Sequence, residues 1–160
     1  TFQHSAEYQN VKIMKTKTSE WFEVKFQYEK TLENGTEKKV TELYVVDAIS
    51  FSEAETTIIE KMEPYVSTET FIKGISRAPY KQIIFDERDS ADKYYKAKLD
   101  FITFDERTGN EKKTTVTFLV QAASIDEAKK SITEMMKDTM SDYVIQAIAE
   151  TKIMDVFEHE

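Results

Sequence analysis

The sequence predicts an α+β fold made by tandem duplication of a ββαβ unit, with antiparallel sheet or sheets, two helices and a pseudo-twofold relation between the copies. Three observations predict it. First, the chain aligns on itself: WFEVKFQY matches YYKAKLDF, and GTEKKVTELYVVDAISFSEAETTIIEKM matches GNEKKTTVTFLVQAASIDEAKKSITEMM, with nearly half of the second pair identical. Second, each copy opens on alternating apolar and polar residues, the mark of a half-buried strand. Third, each copy then carries a Ser-x-x-Glu capping box followed by an apolar stripe at helical spacing.

The elements follow in order. Trp21 to Lys30 is the first strand, with Phe22, Val24, Phe26 and Tyr28 on one face. Asn34-Gly35 marks a hairpin turn, and Thr108-Gly109 with a longer loop is its counterpart. Lys38 to Ala48 returns, with Tyr44, Val46 and Ala48 on one face; Phe118, Val120 and Ala122 repeat this. Ser50 with Glu53, and Ser124 with Glu127, begin the helices. Their stripes are Phe51, Ala54, Ile58, Met62 and Ile125, Ala128, Ile132, Met136. Pro64 limits the first helix, and the second is expected to run to about Met140. Extended segments close the copies, about residues 70–85 and 143–157, the first broken by Pro79. The predicted organisation is a tail over residues 1–20, a first repeat over 21–85, a polar linker over 86–93 and a second repeat over 94–157. One unit of about 70 residues is marginal alone, so the two are expected to form one domain.

Composition excludes several chemistries. The chain has no Cys, which removes disulfides, thiolate metal sites and Cys nucleophiles and fits a cytoplasmic location. Its two His, His4 and His159, lie near the chain ends, where order is rare unless the chain is tied down. A Ser-His-Asp triad or a His-rich metal centre is therefore not expected, and no metal or cofactor is assigned. Three Gly and two Pro leave no glycine-rich phosphate loop. With 22 basic against 30 acidic side chains, net −8, general nucleic-acid binding is not expected. No apolar run reaches the ~20 residues of a membrane span, and the N-terminus has no secretory core.

WFEVKFQYEK, ENGTEKKVTELYVVDAISFSEAE, EKKTTVTFLVQA and SDYVIQAIAETKIMDVF resemble a domain-of-unknown-function family of gut Bacteroidetes and their phages. The likeness covers about Glu20 to Phe157 and implies a provenance but no activity. It also points to Met14 as the natural start.

Candidate ligand-binding residues come in matched sets. Lys38, Lys39, Lys112 and Lys113 follow the two turns and offer cationic spots for an acidic partner; the same residues are what solvated hairpin ends carry. Trp21 and Tyr94 open the two first strands on the face opposite Phe22 and Tyr95. There they could stack on a flat ligand or be core. Arg77 lies with Tyr80 and Lys81 around Pro79, where the copies diverge to Glu150, Ile153 and Met154. The two Asp-Glu-Arg runs at 86–88 and 105–107 are not repeat equivalents and read as ordinary acidic loops. Glu23 and Glu42 are strand carboxylates of the first copy only, replaced by Lys96 and Val116. No catalytic residue is assigned.

The expected function is a non-enzymatic binding or interaction protein, self-associating as a homo-oligomer, with a small anionic ligand or a protein as partner. The alternatives are a phage-type sequestering protein for a signalling nucleotide, resting on the Lys and aromatic pairs, and an enzyme using only carboxylates and their neighbours.

Overall fold

The computed structural model describes residues 20–159. The expected tail, with His4 and Met14, lies outside them but for Glu20. Strands β1 (Glu20–Thr31) and β2 (Glu37–Ala48) form the first hairpin, and β5 (Lys93–Phe104) and β6 (Glu111–Ala122) the second. Both turns need a residue with positive φ, and glycine supplies it: φ is 83° at Gly35 and 73° at Gly109. The Gly35 amide donates to the Leu32 carbonyl at 2.9 Å, and the Gly109 amide to that of Asp105 at 2.7 Å.

Each hairpin is followed by a helix, α1 (Phe51–Met62) and α2 (Ile125–Met135). Ser50 Oγ accepts from the Glu53 amide at 3.1 Å and Ser124 Oγ from that of Glu127 at 3.3 Å, as the Ser-x-x-Glu pattern requires. Pro64 sits in a 3-10 turn, Glu63–Tyr65, directly after α1. The second helix stops earlier than the expected Met140. Met136 caps it, its amide bonded to the Ile132 carbonyl at 2.9 Å.

Strands β3 (Thr70–Arg77) and β7 (Asp142–Glu150) run antiparallel to β1 and β5. Both ladders carry a one-residue irregularity at the same place, at Lys73 in β3 and Gln146 in β7. Such bulges twist an edge strand and leave it a poor template for further pairing. The Ala78 amide then donates to the Trp21 carbonyl at 2.8 Å, and Pro79, without an N–H, cannot extend the ladder. In the second copy the Thr151 amide donates to the Tyr94 carbonyl at 2.9 Å, and the strand ends there without a proline.

The closing strands β4 (Tyr80–Ile84) and β8 (Ile153–Phe157) do not stay with their own repeats. β4 pairs parallel with β6, and β8 parallel with β2. The result is two four-stranded sheets, ordered β3-β1-β2-β8 and β4-β6-β5-β7, in an α+β fold. The first compact unit holds the described chain to Ala78 together with Ile153 onward, and the second holds Pro79–Lys152. The boundaries therefore fall at the two breaks after β3 and β7. Residues 85–92 join β4 to β5 inside the second unit, and Lys93, the last residue of the expected linker, already belongs to β5; in this loop the Ala91 amide reaches the Arg88 carbonyl at 3.0 Å.

Each unit buries one core between its helix and its sheet. In the first it is Phe22, Val24, Phe26, Tyr44, Val46, Ala48, Ala54, Ile58 and Met62. In the second it is Tyr95, Ala97, Leu99, Phe118, Val120, Ala122, Ala128, Ile132 and Met136, a one-to-one match in repeat order. Val45 and Leu119 are also fully buried, on the opposite faces of β2 and β6.

Candidate functional site

The residues singled out in the sequence do not converge within either unit. Lys38 and Lys39 are exposed near the turn, opposite Lys30 and Glu29, and alternation sends them to opposite faces. Trp21 pairs with Asp47 at the other end of the same hairpin, about 30 Å away at ~3.3 Å per residue. Lys112 and Lys113 are likewise exposed opposite Thr103 and Ile102, while Tyr94 pairs with Gln121 at the far end and is buried. Trp21 is half-buried. Arg77 lies over the rings of Phe22 and Phe51, at 5.7 and 5.2 Å from their centroids, and is ion-paired with Glu20. That position is a stacked, paired guanidinium at the mouth of the first core.

Titratable groups do converge on the helix-facing side of the first sheet. Tyr44 Oη donates to Glu42 Oε1 at 2.9 Å, and Tyr28 also hydrogen-bonds Glu42. Register explains this: Tyr28 faces Val40, Phe26 faces Glu42 and Val24 faces Tyr44, so all share one face. Burial, then the hydrogen bond to Glu42 and the charges of Glu42 and Asp155, push the Tyr44 phenol far above its ordinary value. Tyr28 moves the same way, from burial first and the Glu42 charge second. Tyr44 also stacks on Phe157, centroids 5.6 Å apart. In the second unit Phe101, Val116 and Phe118 take the places of Tyr28, Glu42 and Tyr44. The fold does not need this polar set; the first unit has it in addition.

On the other face of the same strands lies a depression of about 130 Å³ lined by Gln27, Tyr28, Glu29, Lys39, Glu69 and Phe71. Gln27 faces Phe71, and Glu29 faces Lys39 across the ladders. Phe71 is 45% exposed, a flat apolar floor on a rigid strand. An amide, an ammonium, two carboxylates and Tyr28 surround it, so the depression offers an exposed ring and both signs of charge. Beside it Glu37 hydrogen-bonds Glu29, and that bond, with the repulsion between the two, raises the Glu37 carboxyl above its usual range. The sequence marks Lys39 here, but nothing in it marks Phe71 or Glu69, whose place depends on the β1–β3 register.

The remaining candidates resolve locally. Asp86 and Arg88 form a bidentate pair, with Arg88 Nη2 at 2.6 Å from Asp86 Oδ2, which holds the Asp86 carboxyl below its usual range. Arg107 turns back through its amide onto Asp105 Oδ1 at 2.9 Å. His159 is tied down: its Nε2 lies 3.3 Å from Glu53 Oε1, and its amide donates to Asp47 Oδ2 at 3.4 Å. Among the described residues no group of three or more His, Cys, Asp and Glu could hold a metal ion. No helix there is long and apolar enough to cross a membrane.

No curated protein and no solved structure matches the chain. A family model matches residues 20–159, from the first residue of β1 to two residues past β8, a span that contains both sheets and both helices. The chain belongs to that family, Domain of unknown function (DUF4494).

Proposed function

We infer that this chain is a non-enzymatic binding protein that engages a macromolecular partner at the depression on the first unit's sheet. The observation that carries the reading is the lining itself. Phe71 supplies an exposed ring; Gln27, Glu29 and Lys39 from strands, and Glu69 from the residue just before β3, supply donors and acceptors around it. A volume of about 130 Å³ is well below the ~300–1,000 Å³ of small-molecule pockets. It suits one side chain or one ring of a larger partner, not a whole nucleotide.

The alternative, a phage-type sequestering protein for a small anionic ligand, has less support, since Lys38 and Lys39 point to opposite faces. The carboxylate-enzyme reading has less as well: of the Glu29–Glu37 pair only Glu29 lines the depression, and Glu37 is exposed at the hairpin end. On this reading the protein works in the cytoplasm of a gut Bacteroidetes cell or of one infected by its phage. Self-association belongs to the same proposal; the bulged edges of β3 and β7 favour faces over edges for it.

The test is native mass spectrometry on protein made in such a host, with chemical crosslinking of the wild type and of Phe71→Asp. The reading expects no small-molecule mass excess, a defined subunit number, and a crosslinked partner lost in the Phe71→Asp variant. A mass excess shed on denaturation would replace it with a small-ligand carrier.

A further inference from the structure

We propose that the single repeat is a self-recognising module: each repeat gives its last strand to a second copy of the repeat and takes that copy's last strand in return. The acceptor surface is the free edge of the hairpin's return strand, Leu43–Val46 in β2 and Thr117–Val120 in β6. The partner is the closing strand of another repeat, taken up in parallel as an added edge strand.

Three observations carry this. The two exchanges have the same register. Leu43 faces Ile153, Tyr44 faces Asp155, Val45 faces Val156 and Val46 faces Phe157; Thr117, Phe118, Leu119 and Val120 face Tyr80, Gln82, Ile83 and Ile84. Each contains an irregularity at the same step. The donated strands also complete the acceptor's interior. Phe157 packs on the first core through Tyr44, and Ile84 packs on the second. Tyr80, Ile83, Ile153 and Val156 are buried too, outside the two helix-facing cores, with Ile83 and Val156 opposite Leu119 and Val45. Finally, the chain after each donated strand contacts the acceptor at the end of its return strand and at the capping Glu of its helix. The His159 amide meets Asp47 and its ring meets Glu53; the Asp86 amide donates to Gln121 Oε1 at 3.0 Å, and Arg88 Nη2 lies 3.5 Å from Glu127 Oε2. Asp86 and His159 are repeat equivalents, as are Asp47 and Gln121, and Glu53 and Glu127.

The stretch joining the repeats is then dispensable for holding them once folded. Without strand donation, a chain cut there has only whatever else the halves share.

The test inserts a protease site between Asp89 and Ser90, both exposed, in the full chain and cuts it after folding. The proposal expects both fragments in one native species, with the mass of the uncut chain plus one water, parting only in denaturant. The chain has no cysteine, so two designed pairs read the register: Val45→Cys with Val156→Cys, and Ile83→Cys with Leu119→Cys. Either pair, oxidised, should keep the cut fragments joined in denaturant until reduced. Fragments that separate under native conditions at micromolar concentration would overturn the proposal. So would fragments that stay together while neither cysteine pair links them, because their cohesion would then come from elsewhere.

Discussion

The two units share a strand order, a pair of capping boxes, a pair of bulges and nine matched core positions, and two of their differences bear on function. The second unit is one unbroken stretch, Pro79–Lys152, whereas the first needs both ends of the described chain. The first carries Tyr28, Glu42 and Tyr44 where the second has Phe101, Val116 and Phe118. The matched features specify the scaffold: turn glycines, caps and alternating apolar faces are what the architecture requires. The unmatched features are free of that requirement. They are where function can differ between copies, and the polar set and the depression both belong to the first unit.

The largest effects should come from the matched cores. Ile58→Ala in α1 and Ile132→Ala in α2 each empty a fully buried position and should cost about 2–5 kcal/mol. Trp21, the one tryptophan, reports on the first unit in a urea titration, while circular dichroism reports on both. Ile58→Ala should lower the midpoint seen by both probes. A fluorescence midpoint unmoved by Ile58→Ala would break the assignment of α1 to that core.

Converting the first unit's polar set into the second's gives a sharper contrast. Glu42→Val alone strips the buried Tyr44 hydroxyl of its acceptor and should destabilise by about 1–3 kcal/mol. Tyr28→Phe, Glu42→Val and Tyr44→Phe together remove donors and acceptor at once and should come out close to neutral. A triple variant less stable than the single one would contradict the pairing.

The same residues give the first unit an alkaline sensitivity. The folded state holds the Tyr44 and Tyr28 protons more tightly than the unfolded chain, whose phenols ionise near pH ~10. Their contribution is fully present below that pH and is lost as pH rises above it, because only the unfolded state then releases the protons. Urea midpoints followed by Trp21 fluorescence should fall above pH ~10, and Tyr44→Phe should flatten that fall.

The smallest effect tests sameness. Ser50→Ala and Ser124→Ala remove equivalent caps and should each cost ~1 kcal/mol in thermal or urea unfolding. Costs that differ several-fold would mean the two caps are not energetically equivalent.

Much of the scaffold is legible in the sequence because its causes are local. Gly35 and Gly109 mark positive φ, Ser50 and Ser124 mark helix starts, and the alternation from Phe22 to Tyr28 marks a buried face. The strand exchange is not legible. The pattern of Tyr80–Ile84 and Ile153–Phe157 says which residues turn inward but not which sheet receives them. The end of α2 is equally silent, because no proline or glycine separates Met135 from Met140. The candidate site is half legible. Glu42 and Lys39 stand out in the sequence, but Tyr28, Tyr44, Glu69 and Phe71 join them only through cross-strand register.

Strand exchange is the central claim, and hydrogen–deuterium exchange in the Ile58→Ala chain tests it most directly. The amides of β8 should lose protection together with those of β2, to which they are bonded, while β7, which immediately precedes β8 in the chain, keeps its own. If β8 instead follows β7 and stays protected while β2 opens, the two strands are not partners and the account is wrong.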